Sequence, residues 1–364
     1  MRTQRMTPPD QSRPLPNIVT VLQSLPAHRN THCNTLGATL IVVNLASWAA
    51  LFVLTVFVDQ AWLKLLLGTM LGVNTGTLFV IGHDASHGGL TSSARFNRLA
   101  ALLAFLPSLH PPTSWEWGHN RMHHSWTNLA SRDDGYPPLT FDEWCSLSPA
   151  RQRLHRAYHT MWGMGFYYMI DVWWTDLIVL SKGERAQLRT ERRFFVELAV
   201  LGIFVAAQVA VVLAWGAWQS EGALATAWRF GEVMLCVVWP FIVWNWVMAF
   251  VTLQHHTHPR VRWFDNVTEW SYFQSQIAGT VHMTFPRVIE LAFANIFEHT
   301  AHHADKLTPL YNLRATQGAL EAQYPEHVIV QRASLAHLRD ILKRCRLYDY
   351  RAGRWMDFDG RYTT

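Results

Sequence analysis

Four long apolar stretches divide this sequence. Leu36 to Val58 is an uncharged run of 23 residues, and a helix needs about 20 residues at 1.5 Å each to cross about 30 Å of hydrocarbon. Asp59-Gln60 reads as a tight turn. Ala61 to Gly82 then returns, with Lys64 near enough to the turn for its ammonium to snorkel to the membrane surface. Phe194 to Trp218 and Gly231 to Leu253 repeat the plan, with Glu197 and Glu232 close to their starts. The pattern predicts an all-α integral membrane protein with transmembrane helices at about 36–58, 61–82, 194–218 and 231–253.

The shorter apolar patterns predict surface elements. Ile18, Val21, Leu22 and Leu25 fall at i, i+3, i+4, i+7 between Pro16 and Pro26, the spacing of a short amphipathic helix. Leu99 to Leu106 is too short to cross a bilayer and reads as an interfacial or re-entrant piece. Met161 to Leu180 is apolar but carries Asp171 and Asp176. Two carboxylates at the middle of a span would cost several kcal/mol, so this stretch is expected on a surface. From Ala304 onward the chain is polar, arginine-rich and predicted helical.

Composition agrees with a membrane protein. Only 16% of residues are charged, against about 25% in soluble chains, and the 18 tryptophans suit the membrane–water interface. The net charge of +5 resolves into topology: of 31 Lys and Arg, all but Lys64 and Arg229 lie in residues 1–34, 83–193 and 254–364. Four spans put those three segments on one side. An excess of positive residues marks the cytoplasmic side, which predicts cytoplasmic termini and removes the reason to expect a nucleic-acid partner. The four cysteines form no CxxC and do not read as a disulfide framework.

The candidate chemistry lies on that same side. His83-Asp-Ala-Ser-His87 follows the second span directly. His119-Asn-Arg-Met-His123-His124 lies beyond it, and His299-Thr-Ala-His302-His303 follows the fourth. Residues three or four apart on a helix share a face, so each cluster can aim imidazoles at one point. A zinc site takes about four ligands, and eight imidazoles suit two metal ions. Histidine alone leaves iron, copper, nickel and zinc open.

In order, spacing and placement these clusters resemble the three histidine boxes, HxxxH, HxxxHH and HxxHH, of the integral-membrane fatty acid desaturases. The segment from Gln254 to Asp265 is similar to the Gln-His-Thr-His-Pro segment of the acyl-lipid desaturases, and Leu25-Pro26-Ala27-His28 to their Ile-Pro-x-His stretch. This chain departs from the pattern in two places. Gly88-Gly89 follows the first box where many plant members carry a further histidine. An extra residue precedes Thr257, so that either His255 or His256 answers the family's single histidine. The match from Thr257 to Asp265 needs no gap and favours His256 as a ninth ligand, leaving His255 and His258 outside the ligand set.

The resemblance implies a non-haem centre of two iron ions bound by His83, His87, His119, His123, His124, His256, His299, His302 and His303, carried by a cytoplasmic helical cap. It implies dioxygen as co-substrate and a fatty acyl chain on lipid, coenzyme A or a carrier protein as substrate. A ferredoxin-like protein or a b-type cytochrome would donate electrons. Asp84, Asp133, Asp134, Glu298 and Asp305 lie near the boxes and are candidates to hold ligand N–H groups. Trp115, Trp117 and Trp126 are candidates to line the acyl tunnel. The expected organisation is a cytoplasmic segment 1–34, a desaturase-like membrane domain 35–315 and a cytoplasmic tail 316–364. A di-iron hydroxylase or acetylenase would use the same boxes. A membrane metal transporter would need polar groups inside the spans, which these spans nearly lack.

Overall fold

The computed structural model describes residues 15–133, 135, 137–188, 190–219 and 225–364. Asp134, residues 1–14 and residues 220–224 lie outside the described residues. Among the described residues, four helices are long and apolar enough to cross a membrane: Asn34–Phe57, Ala61–His87, Glu191–Gly216 and Thr226–His256. The fold is helical and built for a membrane, and the spans fall where the apolar runs predict them. The second span is the most buried. It packs against the first, against the fourth and against the short helix Ala94–Phe105, whereas the third leaves most of its surface free.

Small residues set the closest of these approaches. Gly68, Gly72 and Gly76 line one face of the second span at i, i+4, i+8. A Cβ on Gly72 would lie 2.6 Å from the Pro240 carbonyl and 2.7 Å from Val243 Cβ. The fourth span therefore sits against bare backbone, as small-residue stripes allow in membrane helices. The second span continues past its apolar run to His87 and ends at Gly88, whose φ of 85° is the left-handed conformation glycine adopts freely. Gly88 and Gly89 donate N–H to the Ala85 and Asp84 carbonyls.

Lys64 does not snorkel. It is 2% exposed, in ion-pair contact with Glu232 at 2.6 Å, and it donates to the Thr55 and Val56 carbonyls at 3.2 and 2.9 Å. Those carbonyls belong to the last turn of the first span and have no partner within their own helix. Lys64 caps them while Glu232 supplies the countercharge that a buried ammonium needs.

The surface elements are largely as patterned. Ile18–Ser24 is a helix capped by the Asn17 side chain. Met161 to Leu180 holds a short helix, Met164–Tyr167, running into a π-helical stretch, Tyr168–Ile178. Its Asp171 pairs with Arg151 at 3.1 Å, and Trp162 and Trp174 stand exposed. The C-terminal part differs from the helical expectation. Ile329–Arg332 pairs in parallel with Val281–Thr284, and Leu347–Asp349 forms a hairpin with Arg354–Met356. Gly353, at φ 64°, lies in the turn of that hairpin. The segment 316–364 packs against the rest of the chain. Leu320, Ile329, Ile341, Tyr348 and Trp355 join the same buried cluster as Phe79 and Phe297, so this segment clamps the box-bearing elements from outside.

Candidate metal centre

The nine histidines singled out in the sequence converge in two groups. His83, His87, His119, His124 and His302 form one; His123, His256, His299 and His303 form the other. Within each group the ring nitrogens lie within 4.8 Å of one another. In the first, His83 Nε2 is 2.7 Å from His119 Nε2, His119 Nε2 is 3.1 Å from His124 Nε2, and His124 Nε2 is 3.0 Å from His302 Nε2. In the second, His299 Nε2 is 2.9 Å from His256 Nε2, and His123 Nε2 is 3.3 Å from His303 Nε2.

The division follows from helix geometry. His83 and His87 are one turn apart on the second span and face the same point. Adjacent residues on a helix point about 100° apart, so the pairs His123-His124 and His302-His303 each send one ring to either group. In the second box the backbone helps. Glu116–His123 is π-helical, and the His124 N–H bonds to the His119 carbonyl five residues back. A π-turn brings i and i+5 onto one face. His119 and His124 thus share the five-histidine group and His123 is freed for the other. His256, the last residue of the fourth span's helix, completes the four.

The surroundings hold these rings neutral and aimed, which is the state a metal ligand needs. Burial first, and then the neighbouring imidazoles, push His119, His124, His299, His302 and His303 well below the ordinary histidine range. The His123 Nδ1–H donates to Asp133 Oδ1 at 2.7 Å. Asp133 is itself anchored by the Asn128 and Gly135 N–H groups at 2.6 and 2.8 Å. The His303 Nδ1–H donates to Gln276 Oε1 at 2.7 Å, and Gln276 Nε2 donates to the His124 carbonyl at 2.7 Å. Such contacts fix tautomer and ring plane, leaving Nε2 as the donor atom. Both nitrogens of His87, and Nδ1 of His256 and His299, are buried without a hydrogen-bond partner among the described residues. Orphaned, neutral, converging nitrogen donors fit a pair of metal ions.

Of the five carboxylates near the boxes, Asp133 holds a box ring, that of His123. Asp305 instead binds Arg29 and Asn30. Asp84 is buried against Gly89, and among the described residues it makes no hydrogen bond to a box ring. Gln276 carried no sequence signal, being one buried amide in an otherwise unremarked stretch. His255 is 1% exposed and lies outside both groups, but its ring stacks on His299 at 3.9 Å with a 19° interplanar angle. His258 faces His337, away from the centre.

Beside the histidines lies a cavity of about 430 Å³, lined by Phe79, Val80, Trp115, Leu177, Met248 and Val251 on its apolar side and by Arg132, Asp133, Glu184 and Gln187 where it is polar. It touches His83 and His119 of the first group and His123, His256 and His299 of the second. Trp115 and Trp117 line it; Trp126 packs against Trp270 and Arg132 instead. A volume in the 300–1,000 Å³ range with few polar groups is that of a small-molecule site.

Comparison with known proteins covers most of the chain. The family model described as fatty acid desaturase matches residues 60–334. An sn-1 oleoyl-lipid 12-desaturase of Synechocystis sp. is 29% identical over 279 residues, 74% of this chain and 72% of that protein. An sn-1 oleoyl-lipid 12-desaturase of Anabaena variabilis is 27% identical over 325 residues, 86% of each. A chloroplastic omega-6 fatty acid desaturase of Spinacia oleracea is 27% identical over 291 residues, 78% of this chain and 60% of that one.

Proposed function

The chain belongs to the fatty acid desaturase family, an oxidoreductase family, and on that premise we propose that it is an O2-dependent acyl-lipid desaturase that converts an oleoyl chain to a diunsaturated one at carbon 12. The observation that carries this reading is the pair of buried histidine groups, five and four, flanking a largely apolar cavity. The reaction is a CH2–CH2 unit plus O2, two electrons and two protons, giving CH=CH and two waters. Two iron ions, when bound, would activate the dioxygen that oxidises the methylenes, chemistry that no side chain supplies. The electrons come from an external carrier, a ferredoxin-like protein or a b-type cytochrome.

The chain's own residues do the rest. His83, His87, His119, His124 and His302 would hold one iron, and His123, His256, His299 and His303 the other. Asp133 and Gln276 keep the His123 and His303 rings turned towards the ions. Phe79, Val80, Met248 and Val251 bury the acyl chain and keep water from the reacting carbons, where the low dielectric also strengthens the polar contacts that orient the ligands. Arg132 and Gln187 line the same cavity and would meet the carrier end of the substrate. In this reading residues 35–315 carry the membrane and metal-binding parts, and the histidine boxes and both termini are cytoplasmic.

Expression in a host whose lipids contain oleoyl but no diunsaturated chains, followed by gas chromatography–mass spectrometry of derivatised acyl groups, tests the proposal. The expected product is the 9,12-diene. A hydroxylated or acetylenic product, or oleoyl left unchanged by iron-loaded enzyme with a reducing partner, would refute it.

A further inference from the structure

The apolar cavity is closed on one side by a polar device that the chemistry at the metal centre does not use. His110 is 0% exposed. Its Nδ1 is 2.7 Å from the Ser108 carbonyl, which can only accept, so Nδ1 carries the proton and Nε2 is an acceptor. The Tyr168 hydroxyl, 2.9 Å away, therefore donates to Nε2. Tyr168 lines the cavity; His110 stands behind it, flanked by Phe79 and Trp244 at ring-centroid distances of 4.9 and 5.7 Å. Phe105 and Trp244 beside them are 0% and 1% exposed. Trp115 Nε1 and Trp244 Nε1 are buried there without a hydrogen-bond partner among the described residues. Burying so many polar groups beside an acyl site is costly unless they hold something in place.

We propose that Tyr168, pinned by His110, is the floor of the acyl cavity and sets how many carbons of the substrate fit beyond the bond that is oxidised. This rests on the desaturase reading above. The depth follows from the second span. Phe79 lines the same cavity as Tyr168 and precedes His83 by four residues, a rise of about 6 Å. An extended hydrocarbon chain advances about 1.25 Å per carbon, from a C–C bond of about 1.52 Å at about 111°. A floor at the level of Phe79 leaves room for about five carbons past the level of His83. An oleoyl chain oxidised at carbons 12 and 13 has five beyond them, so the cavity fits the substrate of the relatives that are named for that position.

The test uses the full-length, iron-loaded enzyme and three cis-9-monoenoic lipids of 16, 18 and 20 carbons, which differ only on the methyl side. Wild type should desaturate the 18-carbon chain and lose at least tenfold in kcat/KM on the 20-carbon chain, or place its new bond two carbons nearer the methyl end. Tyr168→Leu should raise the ratio of 20-carbon to 18-carbon turnover at position 12 at least tenfold. Tyr168→Phe, which keeps the ring and loses the bond to His110, should raise it less. Should Tyr168→Leu fail to accumulate, Phe79→Leu removes bulk from the same floor and is read by the same ratio. Wild type that desaturates the 20-carbon chain at position 12 as well as the 18-carbon chain overturns the floor, as does a ratio unmoved by these variants. No product from any chain would overturn the desaturase reading itself, and this one with it.

Discussion

At 2.9 Å from His299 Nε2, the Nε2 of His256 stands among the four-histidine group, whereas His255 lays its ring face on that same His299. The two neighbours can be separated by experiment. His256→Ala removes a proposed ligand and should lower bound iron by at least one ion per chain and abolish activity. His255→Ala removes only support for the His299 plane. Losses of that kind run to about 10–100-fold in metal affinity for contacts behind a ligand, so at saturating iron the variant should still bind two ions. His255→Phe, which keeps a stacked ring, should match wild type in iron content. Iron measured by mass spectrometry on detergent-purified protein decides it, and equal loss in both alanine variants would show that His256 has no special place. The gapless alignment through Asp265 favours His256, and that ring rather than His255 joins the four-histidine group, since a one-residue shift in a helix turns a side chain by about 100°. The eight box histidines were likewise legible, since i, i+3 and i+4 spacing is local information. What was not legible is anything joined across the fold: Gln276 meets His303 from 27 positions away, and no local pattern marks a glutamine for that task.

Gly72 carries the same lesson at the level of helices. The stripe Gly68, Gly72, Gly76 is visible in the sequence, but only the packed structure shows that it faces the Pro240 carbonyl and Val243 of the fourth span. Because the second span ends in His83 and His87 and the fourth ends in His256, this contact aligns histidines of both groups. Gly72→Leu would force the helices apart. Overpacking of this kind costs about 1–3 kcal/mol and more where backbone must move. The variant should melt several degrees lower in detergent and bind less iron. Gly202→Leu on the third span, where a Cβ meets nothing within 4 Å, should leave both unchanged. A Gly72→Leu protein as stable and as iron-rich as the Gly202 control would show that close approach is not what registers the two spans. Span positions were readable because length and apolarity fix them. The π-turn at Glu116–His123 was not, because it differs from an α-turn only in whether the His124 N–H reaches back five residues rather than four. The fate of Lys64 was hidden for a similar reason: its partner Glu232 lies on another span, and a lysine near a turn looks the same in sequence whether it snorkels or pairs.

The whole molecule is polarised along its spans. The second span reaches the metal groups at its C-terminal end, through His83 and His87, and the fourth does so at its own, through His256. Both run the same way through the layer, and the first and third return antiparallel to them. The box-bearing elements therefore gather at one end, and in the sequence the segments 1–34, 83–193 and 254–364 hold 29 of the 31 Lys and Arg. Moving that much positive charge across a bilayer during insertion is what the positive-inside rule opposes, so the box end should be cytoplasmic and the Asp59-Gln60 turn should face the other way. Single cysteines test this once the exposed native Cys33 and Cys145 are replaced by serine. Gln60→Cys and Arg361→Cys both sit at exposed positions. In intact cells a membrane-impermeant maleimide should modify the cysteine at position 60. The one at position 361 should react only after the membrane is opened. Labelling of both from outside, or protection of both, would put the two positions on one side and break the four-span arrangement, however well the individual helices match their apolar runs.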